Sequence, residues 1–293
     1  MQRRQFTGVL GAMMTGMGFS AYAQKSLGST HAVTARLKAL ERESGGRLGV
    51  SILDTGNGAR WGYRAGEHFP MCSTFKLLAA ALVLHRVDKD QEQLARKVIV
   101  KASDIITHSP TTSQYVGAQG ITIAQLCEAT VTLSDNAAGN LLLESFGGPQ
   151  GFTAYTRSLG DTMTRLDRNE PTLNEATPGD KRDTTTPDAM VSNIQKIALG
   201  TALSEASRKQ MTQWLLDNKT GDTRLRALLP PGWRVGDKTG TGGRGSTNDV
   251  GILWPPGRAP LVVAAYLTET SRPAAQREAT LAKVGELAAA LIA

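Results

Sequence analysis

Segments with strand character sit at the two ends of this 293-residue chain and leave its middle to helices. Near the start, residues 47–53 and 59–63 are short runs rich in β-branched, aromatic and leucine residues on either side of a Gly-rich turn at 54–58, which reads as two strands. Near the end, residues 233–237, 247–254 and 260–268 read as three more strands separated by Gly- and Pro-bearing turns. The last of these is rich in Val and Ala, as a buried central strand is. From about 73 to 216 the strand signal vanishes. Residues 75–84 are apolar on nearly every side, which marks a helix buried all round. Helical patterns also cover 123–133, 137–144, 151–159, 187–199 and 204–216. At the outer ends, Val33, Leu37 and Leu40 share a helical face over 32–44 that stops at Gly45 and Gly46, and 274–292 reads as a long closing helix.

Two or three strands at each end are too few to stand alone, so the ends must share one sheet. The prediction is an α+β fold with two lobes. Residues 24–71 and 217–293 form a three-layer α/β/α domain on a five-stranded antiparallel sheet, and residues 72–216 form an all-helical domain inserted into it. Side chains at the seam between the lobes would line a cleft.

Composition removes several function classes. Forty per cent apolar residues with 31 Gly and 12 Pro exclude collagen-like, coiled-coil and wholly disordered chains. Two cysteines cannot build a disulfide scaffold, and the four histidines (His31, His68, His85, His108) lack the paired spacing of a zinc hydrolase, so no metal is expected. The formal charge of +7 invites a nucleic-acid partner, but lysines and arginines alternate with acids, as in Glu41, Arg42, Glu43 and again in Asp180, Lys181, Arg182, Asp183. No basic run of five occurs, and no nucleic-acid partner is expected.

The first 23 residues read as an export signal. Arg3 and Arg4 precede a Gly- and Thr-diluted apolar run from Phe6 to Phe19, and Ala21, Tyr22, Ala23 form a small-residue cleavage site before Gln24. The paired arginines resemble a twin-arginine signal. Cleavage after Ala23 leaves 270 of the 293 residues, and loss of two arginines brings the +7 charge to +5. No later segment is long and apolar enough to span a bilayer, so no membrane association is expected after cleavage.

Chemistry concentrates at three short motifs. Ser73 and Lys76 stand three residues apart at the start of the buried helix, hence on one face, where an amine can activate a hydroxyl and the helix N-terminus favours developing negative charge. Alone, this pair is worth little, because Ser-x-x-Lys arises about once by chance in a chain of this length. Ser134, Asp135 and Asn136 lie between two helices, where they also suit a helix cap. Lys238, Thr239 and Gly240 close the strand that begins near Arg234 and run into Thr241, Gly242 and Gly243. A hydroxyl-amine pair, a Ser-Asp-Asn loop and a Lys-Thr-Gly strand edge, in this order, are the set found in class A β-lactamases and penicillin-binding proteins.

The mature chain resembles class A serine β-lactamases over essentially its whole length, with the β-lactamase/transpeptidase-like fold. A fourth element carries the resemblance further: Arg168, Asn169, Glu170, Pro171 and Asn174 match the omega-loop motif of class A, a segment here spanning 168–183 and closed by Asp183. A carboxylate and an amide four residues apart can hold a water, and a carboxylate near a bound ester can act as its general base.

The resemblance implies a role for each residue. Ser73 attacks the lactam carbonyl and is acylated. Lys76, or Glu170 through a water, takes its proton. Ser134 passes a proton to the departing ring nitrogen, with Lys238 beside it. The backbone N–H groups of Ser73 and Thr241 form the oxyanion hole. Asn136, Lys238, Thr239, Gly240 and Thr241 hold the substrate amide and carboxylate, Glu170 with Asn174 positions the deacylating water, and an Arg168–Asp183 salt bridge pins the omega loop. Thr247 stands where many members carry an arginine for the substrate carboxylate, and Arg224 matches the alternative arginine of others. His108 stands where an aromatic residue lines the mouth.

No disulfide is implied, because the family's partner position for Cys127 falls at Ala80 and that for Cys72 at Gly242. The implied activity is cofactor-free hydrolysis of penicillins and early cephalosporins by a periplasmic monomer that confers β-lactam resistance. The missing Cys72 bridge argues against efficient carbapenem hydrolysis. Two neighbouring activities share part of the pattern. A D-alanyl-D-alanine peptidase shares the first three motifs, and a non-hydrolytic penicillin-binding sensor keeps Ser73 but needs no Glu170–Asn174 pair.

Overall fold

The computed structural model describes residues 29–292, so the export-signal reading at 1–23 lies outside the described residues. Helix α1 (Thr30–Ser44) is capped by the Ser29 hydroxyl, which accepts from the Ala32 amide, and ends at Gly45 in the left-handed conformation, φ +63°. Strands β1 (Arg47–Asp54) and β2 (Arg60–Tyr63) follow as a hairpin, then the two-residue strand β3 (Phe69–Pro70) and helix α2 (Phe75–Val87).

The middle of the chain adds β4 (Lys97–Val98), β5 (Ile121–Thr122), α3 (Ile123–Thr132), α4 (Asn136–Ser145), α5 (Gly148–Ser158), β6 (Thr184–Thr185), α6 (Pro187–Ile194) and α7 (Glu205–Leu216). Strands β7 (Arg234–Thr241), β8 (Thr247–Trp254) and β9 (Leu261–Thr268) and helix α8 (Ala274–Ala290) complete it.

The five long strands form one antiparallel sheet in the order β2-β1-β9-β8-β7. The two ends of the chain meet where β1 pairs with β9, from Arg47 opposite Thr268 to Asp54 opposite Leu261. Alternation along β9 explains why it is buried on both faces. Leu261, Val263, Ala265 and Leu267 join one apolar cluster with Val33 and Leu37 of α1 and Leu281, Val284 and Leu287 of α8. Val262, Ala264 and Tyr266 point the other way, into a second cluster with Met190, Val191 and Ile194 of α6 and with the helical lobe. This is the three-layer arrangement the sequence pattern predicts.

Helix α2 is the centre of that second cluster. Every residue from Phe75 to Leu84 is buried, including Lys76. Each fully buried Leu or Phe contributes about 1.5–3 kcal/mol, so this one segment anchors whatever stands at its N-terminus.

Three boundaries differ from the sequence reading. Strand β7 does not end near residue 238 but continues through Thr241, because β8 keeps pairing with it as far as Thr241 opposite Thr247. The Lys-Thr-Gly motif therefore lies inside an edge strand. The middle region contains β4, β5 and β6, each only two residues long and too short to show a period. The helix expected over 187–199 turns at Gln195 into a wider π-type turn, Gln195–Leu199. Among the described residues no helix is long and apolar enough to cross a membrane.

Candidate active site

Ser73 sits in a single 3-10 turn, Cys72–Thr74, that feeds α2. The backbone is forced at this point: Cys72 has φ +45°, a left-handed conformation uncommon for a residue with a side chain. The entry to the turn is tied down. The Met71 amide donates to the Asp183 carbonyl at 2.9 Å, and the Asn248 side chain donates to the carbonyls of Pro70 and Met71 at 2.9 and 3.1 Å. Gly240 lets β7 lie against this turn, because a Cβ there would stand 2.8 Å from the Met71 carbonyl oxygen and 3.2 Å from Thr74 Cγ2.

One helical turn on, Lys76 Nζ donates to Ser73 Oγ at 2.9 Å, to the Ser134 carbonyl at 2.9 Å and to Asn136 Oδ1 at 2.6 Å, and lies 3.0 Å from Glu170 Oε1. Both the Lys76 and Glu170 side chains are fully buried. Burial pushes the Lys76 ammonium below the ordinary lysine range, and the Glu170 carboxylate opposes the shift. The Ser73 hydroxyl in turn donates to Glu170 Oε1 at 3.1 Å, so hydroxyl, amine and carboxylate form a closed triangle.

Ser134 has φ +59°, and Asp135, not Ser134, caps α4. One oxygen of the buried Asp135 accepts the Ala138 amide and the other accepts the amides of Thr111 and Thr112, each at 2.9 Å. Asp135 thus joins the loop that carries His108 to the start of α4. Asn136 completes the joint, with Nδ2 donating to the Thr107 carbonyl at 2.8 Å and its amide donating to the His108 carbonyl at 2.9 Å. The exposed His108 ring lies at the mouth, with Nε2 2.9 Å from the Leu133 carbonyl oxygen.

Lys238 reaches the same centre from the sheet. Its Nζ donates to Ser134 Oγ at 3.0 Å and to the Thr239 carbonyl at 2.9 Å. Full burial, reinforced by Lys76 and Arg224, holds its ammonium well below the ordinary lysine range.

The segment 168–183 forms the remaining wall. Asp183 is fully buried: one oxygen accepts the amides of Asp167 and Arg168 at 2.8 and 2.9 Å, and the other accepts Arg168 Nε at 2.6 Å. Asn174 Nδ2 donates to Glu170 Oε2 at 2.5 Å, while Asn174 Oδ1 is buried without a partner among protein groups.

Arg224, in the segment between α7 and β7, lies against the end of β7. It donates to the Gly240 and Asn248 carbonyls at 3.0 and 2.8 Å and to Thr241 Oγ1 at 2.8 Å. Thr247 is buried and bonds within its own turn, so Arg224 supplies the guanidinium at this end of the cleft. Ser73, His108, Ser134, Asn136, Asn174, Thr220, Arg224, Thr239, Gly240 and Thr241 together line a cavity of about 290 Å³.

All the residues singled out from the sequence converge on this cleft or on the segment that walls it. Two others, Asn140 and Thr220, escaped notice, and Asp135, read as a cap, also clamps a distant loop. Asn140 holds the Glu170 backbone, and Thr220 Oγ1 meets Thr239 Oγ1 at 2.5 Å. Asn140 carried a signal, being a polar residue one turn beyond Asn136 on a helix otherwise lined with Ala and Leu. Cys72 and Cys127 are both buried free thiols. Among the described residues no cluster of three or more His, Cys, Asp or Glu side chains could hold a metal ion.

Comparison with known proteins shows the family. The sequence model described as the Beta-lactamase enzyme family matches residues 32–292. The chain is 47% identical to β-lactamase CTX-M-8 of Citrobacter amalonaticus over 255 residues, 87% of each protein. It is 45% identical to β-lactamase OXY-2 of Klebsiella oxytoca over 259 residues, 88% of this chain and 89% of that one. Among solved structures, an ancestral class A β-lactamase superposes with a TM-score of 0.86 at 58% identity, covering 87% of this chain and 98% of its own. A putative class A enzyme from Rhodopseudomonas palustris gives 0.86 at 57% with the same coverage. The chain belongs to the β-lactamase enzyme family and, within it, to class A.

Proposed function

We propose that this protein hydrolyses penicillins and cephalosporins through a covalent ester on Ser73 that Glu170 helps water to cleave. One observation carries the reading: Glu170 Oε1 touches both Ser73 Oγ, at 3.1 Å, and Lys76 Nζ, at 3.0 Å. A carboxylate so placed can take the serine proton on the way in and a water proton on the way out.

In acylation, Ser73 Oγ adds to the lactam carbonyl carbon as its proton passes to Glu170 Oε1. In this arrangement Lys76 donates to Ser73, and it becomes an acceptor only as a neutral amine, a form that its burial favours. The negative charge on the carbonyl oxygen is met by the backbone N–H groups of Ser73 and Thr241, where each such donor is worth about 3 kcal/mol of barrier. The ring C–N bond then breaks. The nitrogen takes the Ser134 hydroxyl proton, and Lys238, which donates to that hydroxyl at 3.0 Å, steadies the charge left on its oxygen until the proton held by Glu170 passes through Lys76 Nζ to refill Ser134, which leaves Glu170 a carboxylate again.

In deacylation, a water held by Glu170 and by the free acceptor Asn174 Oδ1 gives a proton to the carboxylate and adds to the ester carbon. The C–O bond to Ser73 breaks, and the oxygen recovers a proton from Glu170. The opened acid leaves. Lys238 and Arg224 face the substrate carboxylate, and with Lys76 they make the cleft attractive to an anion. The Arg168–Asp183 pair, whose carboxylate is buried, fixes the wall that carries Glu170.

Export to the periplasm through a twin-arginine signal cleaved after Ala23 completes the proposal, and N-terminal sequencing of protein recovered from the periplasm tests it. The activity itself is tested by nitrocefin turnover with a D-alanyl-D-alanine peptide as control. Rapid nitrocefin hydrolysis without peptide cleavage is the expected result. Stoichiometric acylation without turnover would instead mark a sensor, and peptide cleavage a peptidase.

A further inference from the structure

We propose that Asp249, a residue that does not line the cleft, positions Arg224 for the substrate carboxylate by holding the backbone immediately after it. The inference rests on the reading of Arg224 as the residue that receives that carboxylate.

Asp249 lies on β8 directly opposite Thr239 and is fully buried. Its Oδ2 accepts the backbone amide of Leu225 at 3.1 Å, the residue immediately after Arg224. Because Arg224 belongs to neither a helix nor a strand, this bond ties its stretch of backbone to the sheet. The guanidinium itself is held by three neutral oxygens, the Gly240 and Asn248 carbonyls and Thr241 Oγ1, with Glu278 Oε1 farther off at 3.3 Å.

The charge of Asp249 matters because of its neighbours. Asp237, on β7 two residues before Thr239, is equally buried and carries a complete shell: Arg226 Nη2 and Asn218 Nδ2 donate to Oδ1, each at 2.5 Å, and Arg226 Nε donates to Oδ2 at 3.2 Å. Asp249 has no such shell, and its Oδ1 is buried without a partner. The groups facing it are Asp237 from β7 and Arg224 and Arg226 from the 217–233 segment, and its field also reaches Lys238 and Tyr266. Burial and the Asp237 charge keep Asp249 protonated well above the usual carboxylate range. Asp249 Oδ2 thus fixes the Leu225 amide, and with it the backbone that carries Arg224, while the guanidinium lines the cleft and pairs with Glu278.

Benzylpenicillin kinetics of Asp249→Asn and Asp249→Ala, each also combined with Arg224→Ala, test the proposal. Asparagine keeps an acceptor for Leu225 and has no charge, so KM and kcat should stay within about twofold of wild type, and the dependence of KM on pH should be unchanged. Alanine strands a buried amide, so KM should rise about tenfold with kcat nearly constant, and the rise should shrink to under about twofold once Arg224 is gone. A KM as high for asparagine as for alanine would show that the charge is needed, and an undiminished alanine effect without Arg224 would show that Asp249 acts elsewhere; either overturns the proposal. Should Asp249→Ala fail to fold, the asparagine variant decides alone, an unchanged KM supporting the proposal and a raised one overturning it. Repeating the comparison as benzylpenicillin Kd in a Ser73→Ala background separates the two failures: if wild type does not turn over but the Kd pattern holds, the function reading falls and Asp249 keeps its role.

Discussion

Asn140 and Glu170 hold each other by two hydrogen bonds across 30 residues of sequence: Asn140 Nδ2 donates to the Glu170 carbonyl, and the Glu170 amide donates to Asn140 Oδ1, both at 2.9 Å. Glu170 is thereby fixed through its backbone to α4, the helix whose first residue, Asn136, touches Lys76. Replacing Asn140 with Ala leaves two backbone groups to find new partners, a cost of about 1–3 kcal/mol each where burial keeps water away. Deacylation should slow more than acylation. Stopped-flow nitrocefin traces showing a burst that wild type lacks would confirm this, and an unchanged ratio of the two steps would contradict it.

The Arg168–Asp183 pair is a stability element. Removing Arg168 leaves a fully buried carboxylate with only its backbone donors, and a broken buried pair costs about 3–5 kcal/mol. For a chain of this size, Arg168→Ala should lower Tm by about 2–4 °C per kcal/mol lost, with a lower urea midpoint in parallel.

Lys238 works against the stability of the fold. Its ammonium pKa is depressed in the native state by burial first and by Lys76 and Arg224 next, while the unfolded chain keeps the ordinary lysine value. Between the two values the unfolded chain binds more protons, so stability rises with pH toward the ordinary lysine range and falls as pH drops. Lys238→Met should flatten this rise below the ordinary lysine range in thermal melts and also abolish efficient turnover. A wild-type Tm that falls as pH rises toward that range would contradict the assignment.

The two thiols should be inert. Burial pushes the Cys72 thiol up to about 12 and that of Cys127 higher still, so neither forms thiolate near neutrality. Native protein at pH 8 should release no chromophore from Ellman's reagent, and denatured protein should titrate two thiols. A fast-reacting native cysteine would show that a buried segment opens.

Legibility in the sequence followed the kind of interaction involved. The all-apolar run of α2 and the i, i+3 spacing of Ser73 and Lys76 have strong periodic signatures, and the structure keeps both, with a 2.9 Å contact between the side chains. The sheet was readable from strand character at the ends, though not the length of β7, because Lys238, Thr239 and Gly240 look like a turn until β8 is seen to pair with them. Contacts to backbone groups left no comparable trace. Asn140 on Glu170, Asp135 on Thr111 and Thr112, and Asp249 on Leu225 all join a side chain to a distant amide or carbonyl, and a peptide group looks the same in every residue. The direct contact of Ser73 with Glu170 arises only once the 168–183 segment folds back over α2.

The central claim is that Glu170 releases the ester from Ser73, and intact-mass spectrometry of Glu170→Ala after brief exposure to benzylpenicillin tests it most directly. The account predicts a protein heavier by one penicillin molecule, with the adduct on the Ser73 peptide, persisting while turnover falls by about 10²–10⁴-fold. Turnover at the wild-type rate, or an unmodified Ser73 peptide, would contradict it.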